Sequence, residues 1–430
     1  MPNELVLEPL FLFFGLLFTA TISASLFRLL RVPYTVGLLV VGIALSALTE
    51  WFPTLAALNT VTLSSDLILY VILPTLIFEA AINIDAKMLL KNLAPIMLLA
   101  VLGVLISAII IAASLYSLDI LPLGAALIFG ALISATDPVA VIALFKELKA
   151  NKRLTLLMDG ESLFNDATAI VLFTVLVGMV GSGATLASAD LWGALGQFVF
   201  TFFGGVLFGG FMGLAMVLLL KFSRQDRFAQ RTQMIIMAYM TFIIADHFLH
   251  LSGVMAVLVA GIIVSLNRHR IMDERRWENI NIFWEYATFV ANSFIFLMMG
   301  MTENKLFENL NHLFHILPIL TVTAFVVIAA RAVIIYGLVP VSNKLGMAEH
   351  INKGMQTVMF WGGLRGAVPI ALMLALPEGM PGRELIFEMV LAMILVTLLM
   401  QGTTTGQLLH HFRLAGDEEE APKQVSAQSV

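Results

Sequence analysis

The sequence predicts an all-α polytopic membrane protein with about 13 transmembrane helices. Composition, long apolar runs and the placement of basic residues lead to this fold class. Of the 430 residues, 60% are hydrophobic and 12% are charged, about half the charged share of a soluble domain. A soluble fold of this size cannot hide so much apolar surface from water. The composition excludes a cytosolic enzyme and a nucleic-acid-binding protein, and the lack of cysteine excludes a disulfide scaffold.

Thirteen apolar runs follow one another along the chain, and a helix needs roughly 20 such residues to cross a bilayer. Their continuity distinguishes them from β-barrel strands, in which apolar and polar residues alternate over about ten residues. The predicted spans are 9–30, 34–49, 61–82, 93–116, 122–145, 154–180, 191–220, 232–248, 252–266, 283–302, 313–339, 353–377 and 384–409.

The basic residues support an odd number of spans. Twenty of the 24 lysines and arginines lie in every second loop or in the C-terminal tail, whereas Lys305 and Arg383 lie on the opposite side. Positive-inside bias then predicts a cell-membrane protein with its N-terminus outside and its C-terminus in the cytoplasm. Residues 1–410 are predicted to form a single transmembrane domain, followed by a short, polar and disordered cytoplasmic tail at 411–430.

Six ionisable residues are the candidates for a functional site, because an ionisable residue at membrane depth costs at least a few kcal/mol and by default marks a site. They are Glu79, Asp137, Glu161, Asp166, Arg331 and Arg365. Because no domain outside the membrane is predicted, we expect the function to depend on these residues.

The fifth span carries Ser134-Ala135-Thr136-Asp137-Pro138 near its middle. Pro138 has no backbone N–H and clashes with the preceding turn, so the helix is expected to break there. A break exposes carbonyls and amides that can ligate an ion. The alternative is a simple proline kink capped by Asp137, and this motif alone favours neither.

In the sixth span, two pairs of polar residues share helical faces. Ser162 and Asp166 lie four residues apart, as do Glu161 and Asn165. Counted from Leu154 at the cytoplasmic edge, Asp166 lies about 18 Å deep. A hydroxyl and a carboxylate beside a broken helix form an oxygen site suited to an alkali cation or a proton. The alternative is a buried structural hydrogen bond.

The twelfth span is the second candidate for an interruption, because residues 361–369 contain three glycines and Pro369. The twelfth span is the middle one of spans 11–13, as the fifth span is of spans 4–6. The placement of the basic residues predicts that these two triplets cross the membrane in opposite directions. Such a pair of broken helices is typical of an inverted-repeat secondary transporter. Arg365 is expected to offset the negative helix end at the break and the charge of Asp137.

Depth below the cytoplasmic edge suggests a partner for two of the other charges. Glu161 lies roughly 10 Å deep and Arg331 roughly 12 Å deep, so we expect them to form a structural ion pair. Glu79 lies near the cytoplasmic end of the third span. There it either attracts cations into an entry funnel or is an interfacial residue without a role, and the sequence favours neither interpretation over the other.

Three motifs in this order resemble the NhaP-type monovalent cation/proton antiporters, a family that includes the sodium/proton exchangers. They are Thr136-Asp137-Pro138, Gly160-Glu161-Ser162 with Asn165-Asp166, and Gly362-Gly363-Leu364-Arg365-Gly366. The resemblance extends from Pro74 to the thirteenth span and so covers nearly the whole chain.

The resemblance implies a homodimer with crossed, discontinuous helices at spans 5 and 12. In each protomer a core of about 93–180 and 313–409 would move against dimerisation helices of about 9–82 and 191–302. The family's cation-binding aspartate corresponds to Asp166. The residues that match other positions of the family's ion site are Ser162, Thr136, Asp137, Asn165 and Glu79. Arg331 matches the family's partner of Glu161. We expect no cofactor and no resident metal.

The expected function is exchange of Na⁺ or Li⁺ for H⁺ by alternating access. Asp166 would bind either a cation or a proton, so the exchange is expected to be one-for-one and electroneutral. The nearest alternative is K⁺/H⁺ exchange by the same mechanism. A channel would need a carbonyl-lined filter, for which the sequence has no candidate. An intramembrane hydrolase that activates water with Asp137 and Asp166 would lack a substrate groove.

Overall fold

A computed structural model of the chain describes residues 4–29, 34–51, 64–181, 191–223, 226–307 and 310–415. Nearly all of these residues are helical, and no β-strand occurs within these ranges. The helices in chain order are α1 (Glu4–Leu29), α2 (Tyr34–Trp51), α3 (Ser65–Asn83), α4 (Ala86–Lys91), α5 (Leu93–Ser117), α6 (Leu123–Ser134), α7 (Val139–Glu147), α8 (Lys152–Gly181), α9 (Leu191–Phe222), α10 (Arg227–Ile243, continued by the π-type turn Ile244–Phe248), α11 (Gly253–Ile271), α12 (Glu274–Phe307), α13 (Leu310–Lys344), α14 (Lys353–Trp361), α15 (Ala367–Leu374) and α16 (Arg383–His411).

Eight helices in the described ranges are long and apolar enough to cross a membrane. Three shorter apolar stretches lie in α1, α2 and α6. Each predicted span coincides, where it is described, with one helix or two consecutive helices, which confirms the all-α polytopic fold. The number of thirteen crossings stays a prediction. Most of the predicted tail at 411–430 lies outside the described residues, which end at 415.

Polar side chains mark where several helices begin. The Ser252 hydroxyl accepts a hydrogen bond from the Met255 amide at 3.2 Å at the start of α11. The Asn352 side chain accepts one from the Met355 amide at 2.8 Å at the start of α14. Each cap satisfies an amide that has no partner within the helix, which fixes the point at which an otherwise apolar run becomes helical.

The helices pack in two sets. In one set α2 packs on α12, and α3 and α9 pack on α11. In the other set α6 packs on α5 and α8, and α5 packs on α13. Glycines let α9 approach α11 closely, since a Cβ on Gly209 would lie 2.7 Å from the Cα atom of Ala256. The sets meet where α8 contacts α9 and α11.

Two interruptions of the helical backbone position the candidate site. Residues 135–138, here called the first break, separate α6 from α7, and residues 362–366, the second break, separate α14 from α15. Ala135 leaves the helical region at φ −59° and ψ 134°. Pro138 cannot donate to a helical ladder, and the glycines of the second break weaken the helix, which accounts for both positions.

Candidate cation site

The two breaks contact each other. The backbone amide of Asp137 donates to the carbonyl of Leu364 at 2.9 Å. Gly366 lies so close to the Asp137 side chain that a Cβ at position 366 would overlap the carboxylate. Thus a backbone group of the first break is satisfied by the second, and glycine at 366 allows the approach.

Helix α8 holds the first break through Thr136. The Ser162 hydroxyl donates to the Thr136 carbonyl at 2.6 Å. The Asn165 Nδ2 atom donates to the Thr136 hydroxyl at 2.6 Å, and the Asn165 Oδ1 atom accepts from the Thr136 amide at 3.4 Å. All three residues are buried. Extended backbone at this depth is therefore stabilised by protein groups rather than by water.

The two aspartates of the site have different surroundings. The Asp137 carboxylate accepts hydrogen bonds from the amide of Val139 at 2.9 Å and from the amide of Ala367, which opens α15. Asp166, on α8, is half-buried and lies within electrostatic reach of Asp137. In the described part of the chain, no hydrogen-bond donor or cationic side chain contacts the Asp166 carboxylate. Asp137 is thus satisfied by the fold, and Asp166 is not.

Glu161 and Arg331 form an ion pair between α8 and α13. Arg331 donates from Nη1 to Oε1 of Glu161 and from Nη2 to Oε2 at 3.0 Å. Its Nη2 atom also donates to the carbonyl of Met359 in α14 at 3.0 Å. The Glu161 side chain is 3% exposed and that of Arg331 is 11% exposed. The two-point geometry orients both groups and joins three helices next to the second break.

Arg365 binds the C-terminal end of α6. Its Nη1 atom donates to the carbonyls of Ser134 at 3.0 Å and Ala135 at 2.8 Å. These carbonyls have no partner within the helix and carry the negative end of its dipole. Arg365 thus lies at the C-terminal end of α6. The hydrogen bonds to Asp137 come from backbone amides rather than from this guanidinium.

Comparison with known proteins places this arrangement in a family. The family profile described as sodium/hydrogen exchanger, transmembrane, matches residues 15–411. The chain belongs to this family. It is 38% identical over 406 residues to the low-affinity Na⁺/H⁺ antiporter NhaS1 of Synechocystis, covering 93% of this chain and 73% of that protein. It is 40% identical over 404 residues to the Na⁺/H⁺ antiporter ApNhaP of Aphanothece halophytica, with the same coverage of both chains.

The fold of the chain is also that of a solved protein. The sodium proton antiporter MjNhaP1 of Methanocaldococcus jannaschii, solved at pH 8, superposes with a TM-score of 0.72. The alignment covers 96% of this chain and 100% of that one, at 19% sequence identity. Together with the family match, this confirms the resemblance to NhaP-type antiporters and their fold.

Glu79 is not part of the hydrogen-bonded group around Thr136 in the described residues. It is half-buried in α3, and the Asn83 Nδ2 atom of the same helix donates to its Oε1 atom at 2.7 Å. Two residues that the sequence reasoning missed lie within electrostatic reach of both Glu79 and Asp137, namely Asp159 in α8 and Tyr34 in α2. Asp159 carries a sequence signal, because it is a carboxylate inside the predicted span 154–180. Tyr34 carries none, because its position depends on how α2 packs.

Proposed function

We propose that the chain exchanges Na⁺ or Li⁺ for H⁺ across the cell membrane by alternating access at Asp166. It belongs to a family of transporters rather than enzymes, and relatives at 38% and 40% identity are named Na⁺/H⁺ antiporters. The observation that carries the proposal is the Asp166 carboxylate, which has no hydrogen-bond donor or cationic partner in the described residues. A carboxylate without such a partner is available to a transported ion.

Oxygen atoms from neighbouring residues would complete the cation site. The Ser162 hydroxyl donates its hydrogen bond to the Thr136 carbonyl, so the lone pairs of the hydroxyl oxygen remain available to a cation. Hard oxygen donors of this kind suit an alkali cation. Asn165 would act indirectly, by holding Thr136 in place through its amide. Glu79 would attract cations on the cytoplasmic side without coordinating the ion at Asp166.

Competition for one carboxylate explains the coupling. Asp166 would hold either a cation or a proton, and each neutralises the same charge. An uncovered carboxylate at membrane depth costs several kcal/mol. The loaded site would therefore cross between the two sides of the membrane, whereas the empty site would not.

The moving unit in this proposal is the core of about 93–180 and 313–409. Helices about 9–82 and 191–302 would form the scaffold and the interface of a homodimer. The packing of α5 with α6 and α13, and of α2 with α12, supports this division. The basic residues on one side of the chain support an outside N-terminus and a cytoplasmic C-terminus.

One-for-one exchange follows if Asp137 keeps its charge throughout the cycle. Two backbone amides donate to its carboxylate, so its oxygen atoms are satisfied by the fold without a bound proton. Asp166 would then be the group that exchanges a proton for a cation. One proton entering for each monovalent cation leaving moves no net charge.

Dissipation of a pH gradient in proteoliposomes tests this function. Adding Na⁺ or Li⁺ is expected to dissipate the gradient, and adding K⁺ is not. The variant Asp166→Asn should abolish the response. Asp119→Asn, an exposed loop aspartate at φ 54° where asparagine is tolerated, should behave as the wild type. A response to K⁺ alone would favour the K⁺/H⁺ alternative, an uncoupled current would indicate a channel, and exchange by Asp166→Asn would overturn the site.

A further inference from the structure

A small cavity lies behind the contact between the breaks, on the side of α13 and α16. Its polar lining comes from Arg331, Arg365, Thr397 and Gln401, and it has room for about one water molecule. Gln401 lies at the end of a π-type turn in α16, and such turns are frequent at functional positions. The cavity is separate from the Thr136–Asp166 group but shares Arg365 with the support of the first break.

Three polar atoms of this lining have no hydrogen-bond partner within the described residues. They are Nε of Arg331, Nε of Arg365 and Oε1 of Gln401. Arg365 is 3% exposed and Gln401 is 4% exposed, so bulk water does not hydrogen-bond to these side chains. Arg331 already donates through both Nη atoms to Glu161 and Met359, and Arg365 donates through Nη1 to the end of α6. Buried polar groups are normally paired, so these three atoms indicate a small polar ligand.

We propose that this cavity binds one water molecule and that Gln401 is thereby a positioning residue for both arginines. A water oxygen accepts two hydrogen bonds, which suits the two Nε–H donors. One O–H group of this water can donate a hydrogen bond to the Gln401 carbonyl oxygen. Two guanidinium groups exclude a cation, and the Gln401 oxygen disfavours an anion at the same point.

The bound water links α16 to the cation site. Arg365 holds the carbonyl of Ala135, which immediately precedes Thr136, and Arg331 holds Glu161, which immediately precedes Ser162. Loss of the Gln401 oxygen would free both arginines to shift. The effect would reach the oxygen atoms around the ion although Gln401 contacts none of them.

Exchange kinetics in proteoliposomes test the positioning role. Gln401→Met keeps the length of the side chain and removes the oxygen, so the apparent KM for Na⁺ should rise about three- to tenfold, as expected for one lost hydrogen bond. Gln401→Glu retains an acceptor oxygen and should keep a KM close to that of the wild type. Thr403→Val, which removes an exposed hydroxyl bonded to its own helix, is the matched control and should change nothing. A wild-type KM in Gln401→Met would overturn the role.

A structure of the wild-type protein that resolves ordered water tests the site itself. We expect one peak within hydrogen-bonding distance of both Nε atoms and of Gln401 Oε1, and its loss in Gln401→Met. Direct bonding of these atoms to protein groups, with no density between them, would overturn the proposal. So would an anomalous signal at the peak after bromide replaces chloride, because it would identify an anion. The wild-type density decides the matter even if Gln401→Met does not fold.

Discussion

Replacing either partner of the Glu161–Arg331 pair is expected to lower the free energy of unfolding by about 3–5 kcal/mol, because the remaining charge stays buried without a partner. Both side chains are nearly inaccessible, at 3% and 11% exposure, and they are joined at two points. Arg331→Gln should fall at the upper end of that range, since it also frees the Met359 carbonyl. Glu161→Gln should fall lower, because glutamine still offers an acceptor oxygen.

The double variant should be less damaged than the sum of the single variants, with a coupling energy of about 0.5–3 kcal/mol. The assay is reversible unfolding in mixed detergent micelles. Glu349→Gln is the control, because Glu349 lies 3.7 Å from Arg153 but is 81% exposed. Its cost should stay within about 1 kcal/mol. Additive losses, or a Glu161→Gln cost no larger than that of the control, would refute the reasoning.

Two further predictions concern Gly366 at the second break and the stoichiometry of exchange. Gly366→Ala should lower the free energy of unfolding by about 1–3 kcal/mol and slow exchange, because its Cβ would displace the Asp137 carboxylate. Gly337→Ala is the control and should be neutral, because a Cβ at position 337 meets open space. Thermal melting measures the stability of each variant, and proteoliposome flux measures its exchange rate. If exchange is one-for-one, the equilibrium Na⁺ gradient in proteoliposomes should follow the pH gradient at any potential imposed with K⁺ and valinomycin. A shift with voltage would mean that Asp137 titrates as well.

Features that depend on position along the chain could be predicted from sequence. Proline at 138 and the glycines at 362–366 locate both breaks, because they change local backbone energetics whatever surrounds them. Similar depth below the cytoplasmic edge predicts that Glu161 pairs with Arg331, since a helix rises by a fixed amount per residue. The four-residue spacing likewise places Ser162 and Asp166 on one face.

Features that depend on contacts between distant segments could not be predicted. The amide that satisfies Asp137 belongs to Ala367, more than two hundred residues away, so the sequence does not tell which aspartate is left without a donor. Tyr34 and Gln401 acquire their positions from helix packing, and a polar residue in an apolar run has many structural uses. The sequence therefore predicts the candidates, and the fold separates them.

Proton release on Na⁺ binding tests most directly whether Asp166 alternates between a cation and a proton. Purified protein in weakly buffered detergent solution would be titrated with NaCl at successive pH values, and the released protons would be counted. Saturable release of up to one proton per protomer is expected for the wild type and for Asp119→Asn, with none from Asp166→Asn. Release by Asp166→Asn equal to that of the wild type, or wild-type Na⁺ binding without proton release at every pH, would contradict the account.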